Sequence, residues 1–394
     1  MWTKRRHRVM FAILRPIMRV YTRWKYGYTA KKYPLEKRPY LVLSNHQTGF
    51  DQFLIALSFK RPLYYIASDD IFSNRYSKLI EYLVAPIPKS KSAKDLEPIR
   101  NCYRIAKEGG TICVFAEGNR TFSGRTETIE PSISKLIRML KLPVVFYRFS
   151  GGYGIQPRWA KSVRKGRMTG EVTSVMPEEE WSKLSEEELY RTVCERLYHD
   201  ECDVPETFRS KALAEYLERA YYYCPDCGGF GEWVSEGDLF TCKKCGRTVR
   251  YTGHNAFETV KKRIDTPEFR TTKAWYDAQN AFAKSFDFKK YGENEIFGEN
   301  DIRLVESIRC KRKVFLTEGR LSFFADRLEI NGLKFDFSEI TGMTVLGKNK
   351  INFYREGRIY QIQPPPRFCA VRMVNLFYST KIQTGENDNE FMGL

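Results

Sequence analysis

Four cysteines spaced CxxC-x14-CxxC restrict residues 224–245 to few folds: Cys224 and Cys227 in CPDCGG, Cys242 and Cys245 in CKKCGR. Paired thiolates at this spacing make two tight turns that can close a tetrahedral four-cysteine zinc site, and the intervening FGEWVSEGDLFT suits a hairpin. All four ligand positions are cysteine, so no place remains for an activated water; the expected metal is structural zinc, with no catalytic cofactor. Its binding energy, about 10 to 16 kcal/mol in small zinc modules, would fold a segment too short for a core of its own. Two disulfides and a rubredoxin-like iron site are the alternatives, and a chain with no secretory signal is expected in a reducing compartment. The other six cysteines, Cys102, Cys113, Cys194, Cys202, Cys310 and Cys369, show no ligand spacing and read as buried thiols.

The chain has 394 residues, 42% hydrophobic and 14% aromatic, enough for a sizeable core and more than one domain. Sixty-six Lys plus Arg against 48 Asp plus Glu leave +18, which favours an anionic partner: membrane lipid, nucleic acid or a phosphorylated substrate. Twelve Lys or Arg and one acid, Glu36, fall between Met1 and Arg38, so the head of the chain carries over half of the excess. Met10, Ile13, Leu14, Ile17, Met18, Tyr21 and Trp24 recur there at helical spacing. Lys4, Arg8, Arg15, Arg19 and Arg23 project from the opposite side, and Pro16 should kink the helix. The longest uncharged apolar piece, Val9 to Leu14, is too short for a bilayer core of roughly 30 Å, and no small-residue cleavage site follows it. The segment reads as a peripheral helix on the cytoplasmic face of a membrane with anionic lipid, with no transmembrane segment. An amphipathic helix packed on its own domain is the plainer alternative, and an Arg-rich mitochondrial presequence a third.

LVLSNHQTGFDQFLIAL, Leu41 to Leu57, is a strand-like run that stops in a polar loop and restarts as a helix. On one continuous helix His46 and Asp51 would point about 140° apart. A loop containing Gly49 can fold them together, so that Asp51 accepts the Nδ1 proton of His46 and leaves Nε2 free as a base. A structural histidine capping the helix has the same spacing. GGTICVFAEGNRTFSG, Gly109 to Gly124, repeats the plan: a buried strand runs into a loop with Glu117, Gly118 and Arg120. Two such strands build a site at the carboxyl edge of an open α/β sheet, and Arg120 offers a planar fork of donors suited to phosphate.

These two sites together resemble the glycerolipid acyltransferases, which acylate glycerol phosphate and lysophosphatidic acid. Asn45, His46 and Asp51 match the family's first motif, Asn-His-x-x-x-x-Asp. FAEGNRT, Phe115 to Thr121, matches its third, Phe-Pro-Glu-Gly-Thr-Arg-Ser, at about the family's usual distance from the first. APIPKSK, Ala85 to Lys91, echoes the second, a Gly-x-Ile-Pro-like stretch ending in a basic residue; LPVVFYRF, Leu142 to Phe149, echoes the fourth, a Pro-containing strand. The resemblance covers roughly residues 30 to 200. Ala116 replaces Pro, Asn119 replaces Thr, Ala85 replaces Gly, and Lys91 stands where Arg is common. None of these removes the His, Asp, Glu or Arg, and they leave the acceptor's identity open.

The resemblance implies an α/β acyltransferase domain, a central mixed sheet flanked by helices. His46, oriented by Asp51, would take the proton of the free hydroxyl of lysophosphatidic acid, and that oxygen would attack an acyl thioester to give phosphatidic acid. Arg120 with Lys91 would hold the acceptor phosphate, and Asn45, Glu117 and Gly118 complete the substrate-binding set. Glu117 as a salt-bridge partner that only positions Arg120 is an alternative. The donor would be acyl-CoA or acyl carrier protein. Another lysophospholipid or glycerol phosphate is the competing acceptor, and a non-catalytic lipid- or nucleic-acid-binding adaptor the competing class.

Toward the ribbon, EEEWSKLSEEELYRTVCERLYHD and SKALAEYLERAYYY read as helices, and Thr271 to Phe282 as another. The ribbon's Lys243, Lys244, Arg247 and Arg250 are offset by Asp226, Glu232, Glu236 and Asp238, so nucleic acid is not an expected partner. From Lys313 onward about seven short strand-like runs alternate with EG, NG and GK turns, and RFCAVRMVNLFYSTKI closes the chain as a helix, a pattern that resembles the pleckstrin-homology-like fold. The expected division is a membrane-surface helix at 1–30, the acyltransferase domain at 31–200, a linker helix at 201–223, the zinc ribbon at 224–254, a helix and linker at 255–308, and a mostly-β PH-like domain at 309–384.

Overall fold

The computed structural model describes residues 2–34, 36, 38–68, 82, 85–89, 97–264, 267–308 and 313–386. They fall into two units, Met1–Arg158 with Ser162–Ser210, and Trp159–Lys161 with Lys211–Leu394.

The first unit begins with helix α1 (Arg5–Tyr26), which continues through Pro16 and ends at Gly27, whose φ of 55° puts it in the left-handed region. Its apolar residues divide in two. Met18 and Tyr21 pack inward, on the side where His7, Thr22 and Tyr26 are buried. Val9, Ile13, Ile17, Val20 and Trp24 recur every three or four residues as an outward ridge, 48% to 80% exposed. The single stripe expected from Met10 to Trp24 is therefore two faces. The basic side also differs from expectation: Arg15 is half-buried, and its Nη2 donates to the Leu57 carbonyl (3.0 Å).

Strand β2 (Leu41–Ser44) is buried at every position, the pattern of a strand covered on both faces. It pairs in parallel with β5 (Thr111–Phe115) on one side and β6 (Val144–Ser150) on the other. With β1 (Tyr28–Ala30), β3 (Leu63–Ser68), β4 (Ile87–Lys89) and β7 (Met168–Met176) the order is β1-β7-β6-β2-β5-β3-β4, mixed because β6 and β7 run antiparallel. Successive side chains take opposite faces. Val42 joins a core with Tyr26, Val145, Phe149 and the buried Leu54 and Ile55 of α2 (Asp51–Ala56). Leu41 and Leu43 join another with Ile112, Val144 and three helices: α3 (Glu97–Lys107), α4 (Ser132–Leu140) and α5 (Glu186–Leu197). α3 buries Pro98, Asn101, Cys102 and Ile105, one helical face, and α5 starts at a capping box between Ser185 and Glu188.

In the second unit, β8 (Tyr223–Cys224) and β9 (Gly229–Phe230) frame the first cysteine turn. β10 (Trp233–Glu236), β11 (Leu239–Cys242), β12 (Thr248–Tyr251) and β13 (Phe257–Lys261) form an antiparallel meander whose first hairpin is the expected one. β13 carries this sheet past residue 254, the expected end of the ribbon. Trp275 of α6 (Thr272–Lys284) is fully buried, donates its indole N–H to the Tyr223 carbonyl (3.0 Å) and meets Trp233 and Phe257 edge-on.

The linker helix expected at 201–223 is absent; 3-10 turns at Glu201–Asp203 and Leu217–Arg219 stand in its place. Tyr216 takes a left-handed φ of 72° and its N–H donates to Ser235 Oγ (2.8 Å), while Ala214, Leu217, Ala220, Tyr221 and Tyr222 are all buried. Burial all round overrides the helical propensity of ALAEYLERA.

A second seven-stranded sheet follows, formed by β14 (Phe297–Ser307), β15 (Lys313–Phe323), β16 (Arg327–Ile330), β17 (Leu333–Asp336), β18 (Ile340–Leu346), β19 (Lys350–Arg355) and β20 (Arg358–Gln363). All its pairs are antiparallel, in the order β17-β16-β15-β14-β20-β19-β18, and α7 (Ala370–Gln383) packs Phe377 edge-on against Phe337. Asn331-Gly332 and Glu356-Gly357 make the expected tight turns with positive φ. β14 moves the start of this sheet from the expected residue 309 back to Phe297, into the stretch expected as linker. Glu318-Gly319, expected as a turn, lies inside β15 opposite a bulge in β14.

Candidate active site

Both parallel strands β2 and β5 end at the same edge of the first sheet, with Ser44 opposite Phe115. The loops that leave them carry the expected residues, and buried hydrogen bonds tie the loops to each other.

Asp51 opens α2 with its side chain fully buried. Oδ2 accepts from His46 Nδ1 (2.8 Å), the Gln47 N–H (2.6 Å) and the Thr48 N–H (2.9 Å), and Oδ1 accepts from Thr48 Oγ1. A carboxylate in this setting only accepts, so the imidazole proton sits on Nδ1 and Nε2 is left as the basic atom. The ring lies on Phe115 with centroids 4.3 Å apart and keeps 19% of its surface exposed. Burial lowers the His46 pKa from 6.5 against the Asp51 hydrogen bond and charge, which raise it; Arg120 and Arg158 lower it further. The imidazole is the competent base above its pKa, so activity should hold at neutral pH and fall only with acidification below 6.5. A kcat/KM profile whose acid limb lies above that value contradicts this arrangement.

Glu117 is buried and serves the backbone: Oε1 accepts the His46 N–H and Oε2 the Glu127 N–H, each at 2.7 Å. Burial pushes its carboxyl well above the usual range, opposed by these two donors. It makes no ion pair with Arg120; it fastens the two loops. Gly118 turns the β5 loop at φ 67°, where a side chain would be strained. Asn45, expected in the substrate-binding set, clamps two strand ends: its amide N–H donates to the Phe149 carbonyl (3.0 Å) and its amide oxygen accepts the Phe149 N–H (2.8 Å). Lys91 lies outside the described residues.

The Arg120 guanidinium lies against Gly49, in the middle of the His46–Asp51 loop, where an added Cβ would sit 3.7 Å from Nη1. Burial lowers its pKa and the charges of Asp51 and Tyr26 raise it. No carboxylate among the described residues pairs with it. A half-buried guanidinium with open donors beside a basic imidazole can hold an anionic group while the imidazole takes a proton from a neighbouring hydroxyl.

Residues 26–149, which hold both loops, match the family model described as Acyltransferase. The chain carries an acyltransferase-family domain. A probable 1-acyl-sn-glycerol-3-phosphate acyltransferase of Mycoplasma genitalium is 23% identical over 126 residues, 30% of this chain and 47% of that protein, so the chain spans about half the length of this curated relative. Among solved structures, the 1-acyl-sn-glycerophosphate (LPA) acyltransferase PlsC of Thermotoga maritima is similar over 48% of this chain and 76% of that one, with 18% identity and a TM-score of 0.40.

Sequence reasoning missed the support behind the acyltransferase loops. Gln47 Nε2 donates to the fully buried Glu201 (2.7 Å), which also accepts from His199 Nε2 (2.8 Å) and the Gly151 N–H (2.8 Å). Gln47 Oε1 takes the Gly152 N–H (2.9 Å), an approach so close that a Cβ on Gly152 would lie 2.4 Å from that oxygen. Arg158, also missed, donates from Nη1 to the Arg120 carbonyl (2.8 Å) and covers Phe122. No local pattern signals partners this distant in sequence.

In the second unit the Sγ atoms of Cys224, Cys227, Cys242 and Cys245 all lie within 4.8 Å of one another, with Cys224 to Cys245 at 3.6 Å and Cys227 to Cys242 at 3.8 Å. A tetrahedron with metal–sulfur bonds of about 2.3 Å has edges of about 3.8 Å. Two of the six edges match this value and none exceeds 4.8 Å, so the four thiols are grouped closely enough to hold a metal ion. Asp226, between the first two cysteines, pairs in full burial with Arg247, just after the fourth (2.6 Å), a second clasp on the same two turns.

Proposed function

We propose that the protein is a peripheral membrane O-acyltransferase that moves a fatty acyl group from a thioester, acyl-CoA or acyl carrier protein, to the free hydroxyl of lysophosphatidic acid, giving phosphatidic acid. The observation that carries this reading is a basic imidazole, held by Asp51, on a loop that also meets an unpaired guanidinium. Arg120 holds the acceptor phosphate. His46 Nε2 removes the hydroxyl proton as the oxygen attacks the thioester carbonyl; the carbon–sulfur bond then breaks, and the thiolate takes up the proton. No serine or cysteine nucleophile is needed.

Thiol release on addition of lysophosphatidic acid tests the reading, and silence toward a panel of lysolipids and glycerol phosphate contradicts it. Charge-assisted hydrogen bonds contribute about 1.5 to 3 kcal/mol, so Arg120→Gln is expected to lower kcat/KM for lysophosphatidic acid roughly 10- to 150-fold, mainly through KM. Unchanged KM contradicts a phosphate role.

Among the described residues no helix is long and apolar enough to cross a membrane. We read the exposed ridge of α1, with its arginines, as the surface that lies in the interface, where a lysolipid acceptor already resides. We read the four cysteines as a structural zinc site and the sheet β14 to β20 with α7 as pleckstrin-homology-like; the thiol tetrahedron and the strand order support these assignments.

A further inference from the structure

Beside α1 lies a groove whose chemistry the acyl transfer does not use. Two adjoining cavities, about 330 and 410 Å³, share Arg15, Arg19 and Lys60; Arg8 and Arg61 line the first and Lys32 the second. The lining holds no carboxylate, and none of the six cations pairs with one among the described residues. Arg15 is fixed there by its bond to the Leu57 carbonyl, and its Nε is buried with no acceptor. Six like charges without counter-ions repel one another, and a bound anion relieves that. Leu57 directly follows α2, whose first residue is Asp51, so the groove sits at the far end of α2 from the base, roughly 9 Å along a six-residue helix.

We propose that this groove receives the phosphate of an anionic membrane lipid, as a site separate from Arg120. The inference rests on α1 lying at a membrane surface. Its placement favours lipid over a soluble phosphate: at 100° per residue, only the narrow strip of Ala12 and Pro16, with Arg5 and Arg23 in the end turns, separates the line Arg8, Arg15, Arg19 from the apolar ridge Val9, Ile13, Ile17. A lipid whose chains lie along the ridge presents its headgroup to the groove. Occupancy fixes how the protein sits on the bilayer while the acceptor comes and goes at His46.

The test is co-sedimentation of the full chain with phosphatidylcholine vesicles, with and without phosphatidic acid. At about fivefold per cation, R19Q/K60Q is expected to weaken binding to the anionic vesicles roughly 25-fold, while thiol release in detergent micelles is unchanged. Both side chains reach into solvent and neither makes an internal ion pair, so folding should be retained. K289Q/K290Q removes equal charge elsewhere and should change binding little. The proposal is overturned if R19Q/K60Q loses no more than that control, or if duplex DNA of equal charge displaces the wild type as well as the anionic vesicles do. It is overturned too if inorganic phosphate raises Tm while vesicle binding ignores phosphatidic acid. His46→Ala keeps full vesicle binding, so failure of the acyl-transfer reading and failure of this site give different results.

Discussion

His46→Ala is expected to slow thiol release roughly 10²- to 10⁴-fold, the range for loss of a general base, while Tm stays within a few degrees of wild type. The separation of the two effects follows from who depends on whom. Asp51 is the buried charge in this loop, and without the imidazole it still accepts from the Gln47 and Thr48 N–H groups and the Thr48 hydroxyl. No buried polar group is orphaned, and the histidine's remaining contact is the face of Phe115. Asp51→Ala should behave differently: it strips the acceptor from two backbone N–H groups as well as from the ring, so stability falls along with activity. Equal losses of Tm in the two variants, measured by calorimetry, would assign His46 to the fold and not to chemistry.

Removing the metal expected at the four cysteines should have the other large effect. Binding to small zinc modules contributes about 10 to 16 kcal/mol, comparable to the whole stability of a typical domain. Around this site the chain has short strands and two turns, and the nearest independent clasp is the Asp226–Arg247 pair. Cys224→Ser, or a strong chelator, is therefore expected to abolish stoichiometric zinc and open residues 224–261 to proteolysis. Elemental analysis with limited proteolysis checks both. A variant without metal that resists protease as the wild type does shows that aromatic packing around Trp275, not the metal, holds the segment.

The parts of the site built from adjacent residues were legible in the sequence. A four-residue apolar strand, a glycine loop and a helix start are local events, so the contact between His46 and Asp51 could be anticipated from LVLSNHQTGFD; so could the hairpin between the cysteine pairs, marked by Glu236 and Gly237. Contacts across the sheet were not legible. Nothing near Asn45 says that its amide will close on Phe149, and nothing near Glu201 says that a carboxylate 154 residues away will hold Gln47. β14 was hidden because the polar run Glu299, Asn300 and Asp301, at a bulge in the strand, reads as linker, while Ile302, Leu304 and Val305 are buried. At 201–223, apolar residues that look like one face of a helix are buried on every side of an irregular chain, which hydropathy spacing cannot distinguish. In α1 the spacing gave the helix but not its two apolar faces, because only the fold decides which of them the domain covers.

We propose that one small acceptor engages His46 and Arg120 together. The most direct test compares kcat/KM for lysophosphatidic acid and for a monoacylglycerol with the same chain, in the wild type and in Arg120→Gln. The wild type is expected to prefer the phosphate-bearing acceptor at least tenfold, and the variant to lose most of this preference while still acylating the monoacylglycerol at the wild-type rate. If the variant keeps the preference, or loses both activities equally, the guanidinium and the imidazole do not share a substrate and the assignment of the site is wrong.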